Sequence, residues 1–560
     1  MSVLKQNWKI VNADDQLSVW ERILVNRGLK TVQQQEAFLD HSLHSFYDPF
    51  LMEGMLAAVN RIKQAIDNQE RIVIFGDYDV DGITSTAILY ILLSELGATV
   101  SYRLPHRIED GYGLNMRFIK ELAEVGTDLL VTVDCGISCK PEVEAAKAAG
   151  IDVIVTDHHQ IPEQLPDAAV AMVHPKLSDK YPDQELTGAG VAFKLADALI
   201  KTYLPSNEWA AKLEQFTDLA SLGTVADCAP ILLENRLIVY RGLQRLSGDC
   251  WPGLEALKKV AGIENGTQLS TYHLGFLLGP RINAVGRIDS PYFALQMILN
   301  SGDKAAKLAE KLDTVNKERQ QMTSTIADEV EARLANKIDG AQILLACDEG
   351  WHAGVIGLVA GKLNYKYGIP VVIMQKQGDK IVGSCRSPEH FDCAGALRAN
   401  SKLLMRFGGH TQAAGFSLEA KNLDHFINAM EAHAAKLYDP KNATNELKLD
   451  TTVKADNLNW DLHTHMERLR PFGIGNNQPI FHLPGQKITD LKEIGIKKNH
   501  LMGKVNLDNG ENYRFIGFNL AEHVKGVSNG SKVDLACQLE LNSYRGRNSL
   551  ELKVVDLKCD

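Results

Sequence analysis

Residues 71–97 read RIVIFGDYDVDGITSTAILYILLSELG, in which a short apolar run passes through an acidic turn into a longer apolar segment. The first run, RIVIF, is rich in β-branched residues and ends at Gly76, so it predicts a buried strand. Ile83 to Leu96 has the apolar spacing of a helix, and the pattern stops at Gly97. A strand followed at once by a helix is typical of the start of a βαβ unit with a parallel sheet.

The alternation of apolar runs and amphipathic segments continues beyond this unit. The further predicted elements are a strand at 99–104, a helix at 115–125, a strand at 128–133, a helix at 141–149 and a strand at 152–156. Apolar strands between amphipathic helices indicate a sheet that is covered on both faces. We therefore predict a doubly wound parallel-sheet α/β domain, whose ligands bind at the carboxyl ends of its strands.

The rest of the chain divides into a helical part, a second α/β pattern and an all-β part. Residues 189–300 have mostly helical spacing, and 303–336 form a charged stretch without Pro or Gly that predicts one long connector helix. The second pattern has predicted strands at 341–347, 371–374, 380–385 and 414–418, helices at 353–365, 393–405 and 422–437, and a turn at Gly408-Gly409. From Leu447 onward, short alternating runs broken by Gly and Asn predict a small β-barrel.

These patterns predict five regions joined in one chain. They are an N-terminal helical segment at 1–45, a doubly wound α/β domain at 46–300, a connector helix at 301–338, a smaller α/β domain at 339–438 and a β-barrel at 447–560. The polar residues 438–447 are typical of a linker.

Composition excludes several classes of protein. The 560 residues are 45% apolar and 23% charged, as in ordinary folded domains. No run approaches 18 apolar residues and the first 15 residues lack an apolar core, so we expect neither a membrane span nor a signal peptide. The nine cysteines include no C-x-x-C pair, which disfavours a zinc ribbon or disulfide framework and favours the cytoplasm. The net charge of −10, taken alone, argues weakly against nucleic acid as a partner, but an acidic excess also arises where carboxylates gather around metal ions, so its sign decides little.

The acidic turn after the first strand is the first candidate site. Asp77, Asp79 and Asp81 occupy alternate positions, and such close carboxylates repel one another unless a cation lies among them. A calcium loop of the EF-hand type would need a Glu six residues after Gly82, where the chain has Ile88. The turn therefore predicts a site for a hard divalent cation such as Mg²⁺ or Mn²⁺.

Two more predicted strands end in side chains that bind metals. Asp134 follows the strand at 128–133, and Asp157, His158 and His159 follow the strand at 152–156. The imidazoles favour Mn²⁺ over Mg²⁺. Asp227, in LGTVADC, follows a helical stretch and is a weaker candidate by itself.

Together these motifs resemble those of the DHH phosphoesterase superfamily, since the aspartate-rich strand ends and the Asp-His-His triplet occur in the same order. The resemblance implies hydrolysis of a phosphodiester by two divalent ions, Mn²⁺ or Mg²⁺. The metal ligands that it implies are Asp77, Asp79, Asp81, Asp134, His158 and Asp227. It further implies that Asp134 bridges the two ions, that His159 contacts the scissile phosphate and that Asp157 orients both histidines.

Two later motifs resemble the DHH-associated domain, which grips the substrate. GSCRS at 383–387 offers the Ser384 hydroxyl and the planar guanidinium of Arg386 to a phosphate. FGGHTQAAGF at 407–416 contains Gly408 and Gly409, which permit close approach of a ligand, followed by His410. We expect these residues to bind substrate.

Two other segments narrow the resemblance within the superfamily. LGPRINAVGRI at 278–288 brings Arg281, Asn283 and Arg287 together for a phosphate, and PHRIEDGYGL at 105–114 offers Arg107 and Tyr112 to an incoming strand. With PFGIGN at 471–476 and the β-module, residues 46–560 resemble the bacterial single-strand-specific 5′→3′ DNA exonucleases of this superfamily.

This narrower resemblance implies a metal-dependent enzyme of DNA repair and recombination that releases mononucleotides from single-stranded DNA. It implies a single-strand-binding protein and a helicase as partners, and a 5′-terminal phosphate held by Arg281 with Asn283 and by Ser384 with Arg386. It also implies an OB-fold barrel that guides the strand with cations and stacking rings. The candidates for that groove are Lys497, Lys498, Lys504, Arg514, Arg545, Arg547, Tyr513, Phe515 and Tyr544.

Two alternatives stay open at this point. One is a DHH phosphodiesterase for short oligonucleotides or cyclic dinucleotides, or a pyrophosphatase, for which the β-module and the helical insert at 189–300 would have no evident use. The other is a non-catalytic DNA-binding scaffold, against which stands the presence of every expected metal ligand. The chain has no G-x-x-x-x-G-K-[ST] motif, which argues against an ATP-driven helicase.

Overall fold

The structure is a computed structural model that describes residues 2–107, 109–437, 446–507, 509–524, 526–544 and 547–559. We number its strands and α-helices in chain order. The strands are β1 Asn7–Ile10, β2 Arg71–Gly76, β3 Thr99–Arg103, β4 Leu129–Val133, β5 Asp152–Thr156, β6 Ala171–Val173, β7 Leu344–Asp348, β8 Val371–Gln377, β9 Lys380–Arg386, β10 Arg406–His410, β11 Ala413–Glu419, β12 Glu446–Leu449, β13 Thr451–Thr452, β14 Phe481–Ile494, β15 His500–Asn506, β16 Asn512–Gly517, β17 Lys532–Tyr544 and β18 Arg547–Cys559.

The helices are more numerous in the first two thirds of the chain. They are α1 Val19–Asn26, α2 Val32–Leu39, α3 Met55–Asp67, α4 Val80–Glu95, α5 Met116–Glu124, α6 Lys140–Ala148, α7 Gly188–Tyr203, α8 Trp209–Glu214, α9 Thr217–Ala226, α10 Leu233–Ser247, α11 Pro252–Val260, α12 Gly279–Ile288, α13 Tyr292–Leu299, α14 Gly302–Ile338, α15 Ala353–Tyr367, α16 Cys393–Ala399, α17 Leu423–Leu437 and α18 Trp460–Arg468. Among the described residues, no helix is both long and apolar enough to cross a membrane.

The chain forms two compact units. One contains residues 46–229 and 241–443, and the other contains residues 1–45, 230–240 and 444–560. The first unit holds both α/β sheets, and the second holds the barrel. The linker predicted at 438–447 lies mostly outside the described residues.

The first sheet has the strand order β3-β2-β4-β5-β6, and every neighbouring pair is parallel. The prediction of a doubly wound parallel sheet is confirmed. The chain leaves β2 toward β3 on one side and returns to β4 on the other side, so the carboxyl ends of β2 and β4 flank the crevice where such sheets bind ligands. Helix α4, which connects β2 to β3, is buried along most of its length because α7 and α9 cover it.

The predicted connector helix is also confirmed, since α14 runs unbroken for 37 residues. At 1.5 Å per residue it is about 55 Å long. It packs against α11, α12 and α13 and then against α15 of the second sheet, so it spans both α/β parts of the larger unit.

The second sheet has the order β10-β11-β9-β8-β7, in which only β7 and β8 are parallel. The helix predicted at 393–405 is wrong after Ala399, and the turn predicted at Gly408-Gly409 is wrong because both glycines lie within β10. The two glycines belong to a strand because the backbone of β10 forms hydrogen bonds with β11. The low strand propensity of glycine does not by itself predict this pairing. Cys385 and Cys393 are paired as a disulfide, which the cysteine spacing did not lead us to expect.

The barrel closes because β14 pairs with both β15 and β17, in the cycle β14-β15-β16-β18-β17. The predicted small barrel is thus confirmed. Tyr513 and Phe515 were expected to stack on bases, and this expectation is wrong because both rings lie in the barrel core. The Tyr513 hydroxyl donates to the carbonyl oxygen of Leu458 inside the unit. Arg545 and the side chain of Tyr544 lie outside the described residues.

The N-terminal segment folds with the barrel. Val19, Ile23 and Leu24 of α1 belong to the same apolar core as the barrel strands, and β1 pairs with β12. Arg236 holds residues 230–240 to this unit, since its guanidinium donates to the carbonyl oxygens of Phe38 and Arg470. The PFGIGN motif lies beside the same segment, where the Ile231 amide donates to the Ile474 carbonyl oxygen. The motif therefore has a structural role in this unit.

Candidate active site

Acidic residues follow three adjacent strands of the first sheet. Asp77 follows β2, Asp134 follows β4 and Asp157 follows β5, and all three are buried. Asp134 has φ of +60°, an uncommon left-handed conformation for a residue other than glycine. Such conformations are retained where the surrounding structure imposes them, often at functional sites. The strand ends therefore bring the predicted carboxylates to one edge of the sheet.

The start of α4 places the other two aspartates of the acidic turn. Asp79 is the N-cap residue, and its carboxylate accepts hydrogen bonds from the amides of Asp81 and Gly82. The carboxylate of Asp81 accepts hydrogen bonds of 2.7 and 2.8 Å from the amides of Gly188 and Ala189, at the N-terminus of α7. These bonds fix the orientation of Asp81, because a helix N-terminus stabilises negative charge.

His158 lies at the centre of the carboxylates. Its Nε2 is 3.1 Å from Oδ1 of Asp134, 3.7 Å from Oδ2 of Asp81 and 3.9 Å from Oδ2 of Asp227, which directly follows α9. Ligand atoms within 4.8 Å of one another form three groups. The groups are Asp77 with Asp79 and Asp134, Asp81 with His158 and Asp227, and Asp134 with His158 and His159.

Three ligand atoms in these groups are buried but make no hydrogen bond. They are Oδ1 of Asp77, Oδ1 of Asp134 and Nε2 of His158. An unpaired buried polar atom costs about 1–3 kcal/mol, more if charged. The donor set of carboxylates and one imidazole is the set that Mn²⁺ and Mg²⁺ bind. The residues therefore fit a pair of divalent ions, with Asp134 shared between two of the three groups.

The pKa values of the aspartates show that burial and mutual repulsion disfavour the charged carboxylates when no cation is bound. Burial, and then the charge of Asp79, raises the pKa of Asp81 to about 7. Burial, and then the charge of Asp81, raises the pKa of Asp227 to about 8. Burial and the neighbouring carboxylates also raise the pKa values of Asp77 and Asp134 well above their ordinary range. A divalent cation would remove this repulsion.

Asp157 belongs to none of the three ligand groups, and its carboxylate instead holds the two histidines in place. Its carboxylate accepts hydrogen bonds from the amides of Ile137, His158 and His159, and from Nδ1 of His159 at 2.7 Å. Burial opposes ionisation, but the bond from His159 and its charge outweigh it, so the pKa of Asp157 falls to about 2. The same bond raises the pKa of His159 to about 9 against the effect of burial. Tyr112 Oη also lies 3.0 Å from Nδ1 of His159.

A cluster of arginines lies beside this centre. Arg287 donates to the Gly354 carbonyl oxygen at the start of α15, and Arg386 donates to Ser384 Oγ. Burial, and then the charges of Arg107, Arg319 and Arg386, lowers the pKa of Arg287 to about 9. Among the described residues, no carboxylate oxygen lies within 4 Å of any of these four guanidinium groups. The cluster is therefore an uncompensated cationic site suited to a phosphate.

Arg319 is the member of the cluster that sequence reasoning missed. It lies in the middle of α14, where it is one of many charged residues with the spacing of a solvated helix face. Only the packing of α14 against α12 and α15 brings it near Arg287. No motif in the sequence marks it.

Arg281 and Asn283 are engaged within the protein. The Arg281 guanidinium forms an ion pair of 2.9 Å with Asp313 and donates to the Leu277 carbonyl oxygen. The Asn283 side-chain oxygen accepts from the amide of Val80, the first residue of α4. Arg281 therefore holds α12 against α14, and Asn283 holds α12 against the start of α4, beside the acidic turn.

The glycine motif of the second sheet lies on the strand pair β10–β11. Gly409 has φ of +136°, and a Cβ there would lie 2.4 Å from the Ala413 carbonyl oxygen, so only glycine fits. A Cβ at Gly408 would meet nothing within 4 Å. His410 is exposed and shares a rung of the sheet with Ala413 and Arg386. The structure thus brings this motif onto the same sheet as Ser384 and Arg386.

Comparisons with known proteins agree with this geometry. Residues 71–224 match the "DHH family, N-terminal domain" model, 340–436 match the "DHHA1 domain" and 449–556 match the "RecJ OB domain". The single-stranded-DNA-specific exonuclease RecJ of Bacillus subtilis is 35% identical over 99% of this chain and 71% of that protein. The RecJ of Dickeya dadantii is 34% identical over 96% of this chain and 95% of that protein. The chain belongs to the RecJ family.

Solved RecJ structures share its fold. A crystal structure of RecJ from Thermus thermophilus in complex with Mn²⁺ matches with a TM-score of 0.84 and 29% identity, over 99% of this chain and 80% of that one. A structure of exonuclease RecJ bound to manganese matches with a TM-score of 0.60 and 35% identity, over 70% of this chain and 97% of that one. The expected resemblance and the α/β, connector and OB-barrel architecture are therefore confirmed.

Proposed function

We propose that this RecJ-family protein is a metal-dependent 5′→3′ exonuclease that degrades single-stranded DNA to mononucleotides. The observation that carries the proposal is the set of buried ligand atoms on Asp77, Asp134 and His158 that make no hydrogen bond, at the carboxyl edge of the sheet. A cluster of four arginines lies beside it, and the part of the chain that the structure describes places no carboxylate oxygen within 4 Å of their guanidinium groups. Relatives at 34–35% identity are named single-stranded-DNA-specific exonucleases.

In this proposal two ions, Mn²⁺ or Mg²⁺, bind at the carboxylate and imidazole groups. The residues that would hold them are Asp77, Asp79, Asp81, Asp134, His158 and Asp227. When bound, such ions polarise the scissile phosphate and lower the pKa of water toward about 7. The hydrogen bond between His159 and Asp157 fixes the imidazole and favours its protonated form, so that its other N–H would donate to a phosphate oxygen.

The arginine cluster supports an attack that begins at a 5′ end. Arg107, Arg287 and Arg386, with Ser384, would hold the 5′-terminal phosphate, and Arg319 would add a fourth positive charge. Water attacks the next phosphorus, and the 3′ oxygen of the terminal nucleotide leaves and takes up a proton. The product is a nucleoside 5′-monophosphate, and the shortened strand again carries a 5′ phosphate. Each cut therefore regenerates the group that the cluster would bind.

The barrel would guide the strand with rings other than those the sequence indicated. Phe518 is half exposed, and its ring lies edge-to-face with His500 at 5.3 Å between centroids. The outward-facing cations nearby are already partnered, Lys504 with Asp490 and Arg514 with Glu551. We therefore assign base stacking in the barrel to Phe518 and His500, since stacking tolerates any base.

Several finer assignments belong to the same proposal. The cell context would be DNA repair and recombination in the cytoplasm, with a single-strand-binding protein and a helicase that supplies the strand. The proposed division is a helical segment at 1–45, a DHH catalytic domain at 46–300, the connector at 301–338, the DHH-associated domain at 339–438 and the OB domain at 447–560.

The test uses single-stranded DNA labelled at its 5′ end in one reaction and at its 3′ end in another, with Mn²⁺, Mg²⁺ or a chelator. We expect immediate release of labelled mononucleotide from the 5′ label, progressive shortening of the 3′-labelled strand, and no reaction in chelator. Intact long DNA together with hydrolysis of dinucleotides or pyrophosphate would refute the proposal in favour of a small-substrate enzyme. Binding of DNA without cleavage in any metal would indicate a scaffold.

A further inference from the structure

A cavity of about 540 Å³ lies next to the proposed active site, within the larger unit. Its walls come from the loop before α5, the start of α15 and the second sheet. The lining residues that matter here are Arg107, Tyr112, Lys380, Arg406, Gly408 and Gly415. This volume is within the range of about 300–1,000 Å³ that is typical of small-molecule sites.

Strand register explains the shape of the cavity floor. Gly408 pairs with Gly415, which pairs with Ser384 on β9, so two adjacent strands lack side chains at this rung. A Cβ at Gly408 would meet nothing within 4 Å, and one at Gly415 would have only the Gly383 carbonyl oxygen at 3.9 Å. The fold therefore does not require glycine for packing at either position. A bare, flat patch of backbone is suited to the face of a planar ring.

Hydrogen-bond donors surround this floor. Arg406 lies two residues before Gly408 on β10, and Lys380 begins β9. Among the described residues, no carboxylate oxygen lies within 4 Å of Arg107, Lys380 or Arg406, so their donors are not engaged in ion pairs. Tyr112, which contacts His159, forms the wall toward the catalytic centre.

We propose that this cavity binds the nucleobase of the 5′-terminal nucleotide, with Arg406 and Lys380 donating to acceptor atoms on the edge of the base. The inference rests on the proposed function, because it places that nucleotide between the arginine cluster and the metal ligands. A flat backbone floor with donors at its rim fits the face of a base better than a second phosphate. All four bases carry carbonyl or ring-nitrogen acceptors, so such a site accepts every sequence.

The test compares 5′-phosphorylated strands that differ only at the terminal nucleotide, which carries either thymine or an abasic tetrahydrofuran. Loss of stacking and edge contacts should lower kcat/KM of the wild type about tenfold on the abasic strand. Arg406→Ala should lower kcat/KM about fivefold on the thymine strand and leave it unchanged on the abasic strand, because the base that it contacts is absent. Fluorescence anisotropy in chelator should show the same pattern in Kd, without any cleavage.

Two more variants distinguish a contact with the base from a contact with the phosphate backbone. Lys421→Ala removes an exposed lysine of the same domain that pairs with Glu419 and does not line the cavity, so it should behave as wild type on both strands. Gly415→Val should fill the floor and, like Arg406→Ala, reduce activity only on the thymine strand. Equal loss on both strands in Arg406→Ala would overturn the proposal and assign the arginine to the phosphate backbone. No loss on either strand would also overturn it. Failure of the wild type to cleave the thymine strand would instead refute the proposed function.

Discussion

Gly188 links the helical part of the catalytic domain to two predicted metal ligands. It is the first residue of α7, and its amide donates to Asp81 at 2.7 Å. A Cβ built at Gly188 would lie 2.5 Å from Cβ of Asp134 and 2.7 Å from its Oδ1. The φ of Gly188 is not in the left-handed region, so the helix itself would tolerate alanine. The three atoms nearest to the new methyl group all belong to Asp134, so the Gly188→Ala substitution acts through a collision with that side chain.

The size of that collision sets the expected effect. Non-bonded carbon atoms are ordinarily about 3.5–4.0 Å apart, so Asp134 or α7 must move by about 1 Å. A misplacement of about 1 Å in a catalytic group costs about 100-fold in rate. Overpacking of this kind also costs about 1–3 kcal/mol in the free energy of unfolding. We expect cleavage of single-stranded DNA to fall about 100-fold in a protein that remains folded.

The assay measures kcat/KM on 5′-phosphorylated DNA, the Kd for Mn²⁺ by calorimetry and the melting temperature by circular dichroism. Gly190→Ala is the matched control, because the three atoms nearest to a Cβ there all belong to the side chain of Leu186, at 3.1–3.6 Å, and none belongs to a candidate metal ligand. It should keep activity within about twofold of wild type. If folded Gly188→Ala protein bound Mn²⁺ and cleaved DNA as the wild type does, Asp134 would not be a ligand whose position matters, and the reasoning would be refuted.

Three other substitutions test separate parts of the molecule. Asp134→Ala should abolish cleavage and Mn²⁺ binding in a folded protein. The control Asp128→Ala, just before the amino end of the same strand, should retain both. Near-normal cleavage by Asp134→Ala would contradict the assignment of Asp134 as a ligand shared by two ions. Arg281→Ala should lower the free energy of unfolding by about 1–2 kcal/mol, because the ion pair with Asp313 is lost while Lys317 still neutralises that carboxylate at 2.7 Å. KM should change less than about twofold, and a large rise in KM without destabilisation would restore Arg281 to the phosphate site. Phe518→Ala should weaken binding of long strands about tenfold by anisotropy but not that of dinucleotides, and unchanged binding of long strands would show that the barrel guides DNA by other residues.

The meeting of the candidate metal ligands could be predicted from the sequence because most of them are placed by regular structure. Asp77, Asp134 and Asp157 each follow a run of apolar, β-branched residues, and parallel strands bring their carboxyl ends to one edge by geometry alone. Asp227 was the weakest candidate because it follows a helix, and the fold class does not fix the position of a helix end relative to the strand ends. Its position depends on how α9 packs against α4, which is tertiary information.

The substrate side was less predictable because long side chains take their partners from other parts of the chain. Arg281 and Arg287 lie on the same helix within one motif, yet one pairs with Asp313 and the other joins the arginine cluster. Their spacing in the sequence gives no reason to assign one of the two arginines, and not the other, to a phosphate. Only the path of α14 decides between them, because it supplies a carboxylate to the first and Arg319 to the second.

The error in the barrel has a different origin, because the alternation of side chains along a strand is visible in the sequence. In a strand, side chains alternate between the two faces, so Tyr513 and Phe515 necessarily share a face, and Arg514 takes the other. Rings and cations that are adjacent in sequence therefore point in opposite directions and cannot build one groove. Because a barrel buries one face of each strand, this alternation by itself assigns the two rings to the core. Phe518 directly follows the last residue of β16, so the alternation of side chains along the strand no longer determines its position. Its ring is half exposed.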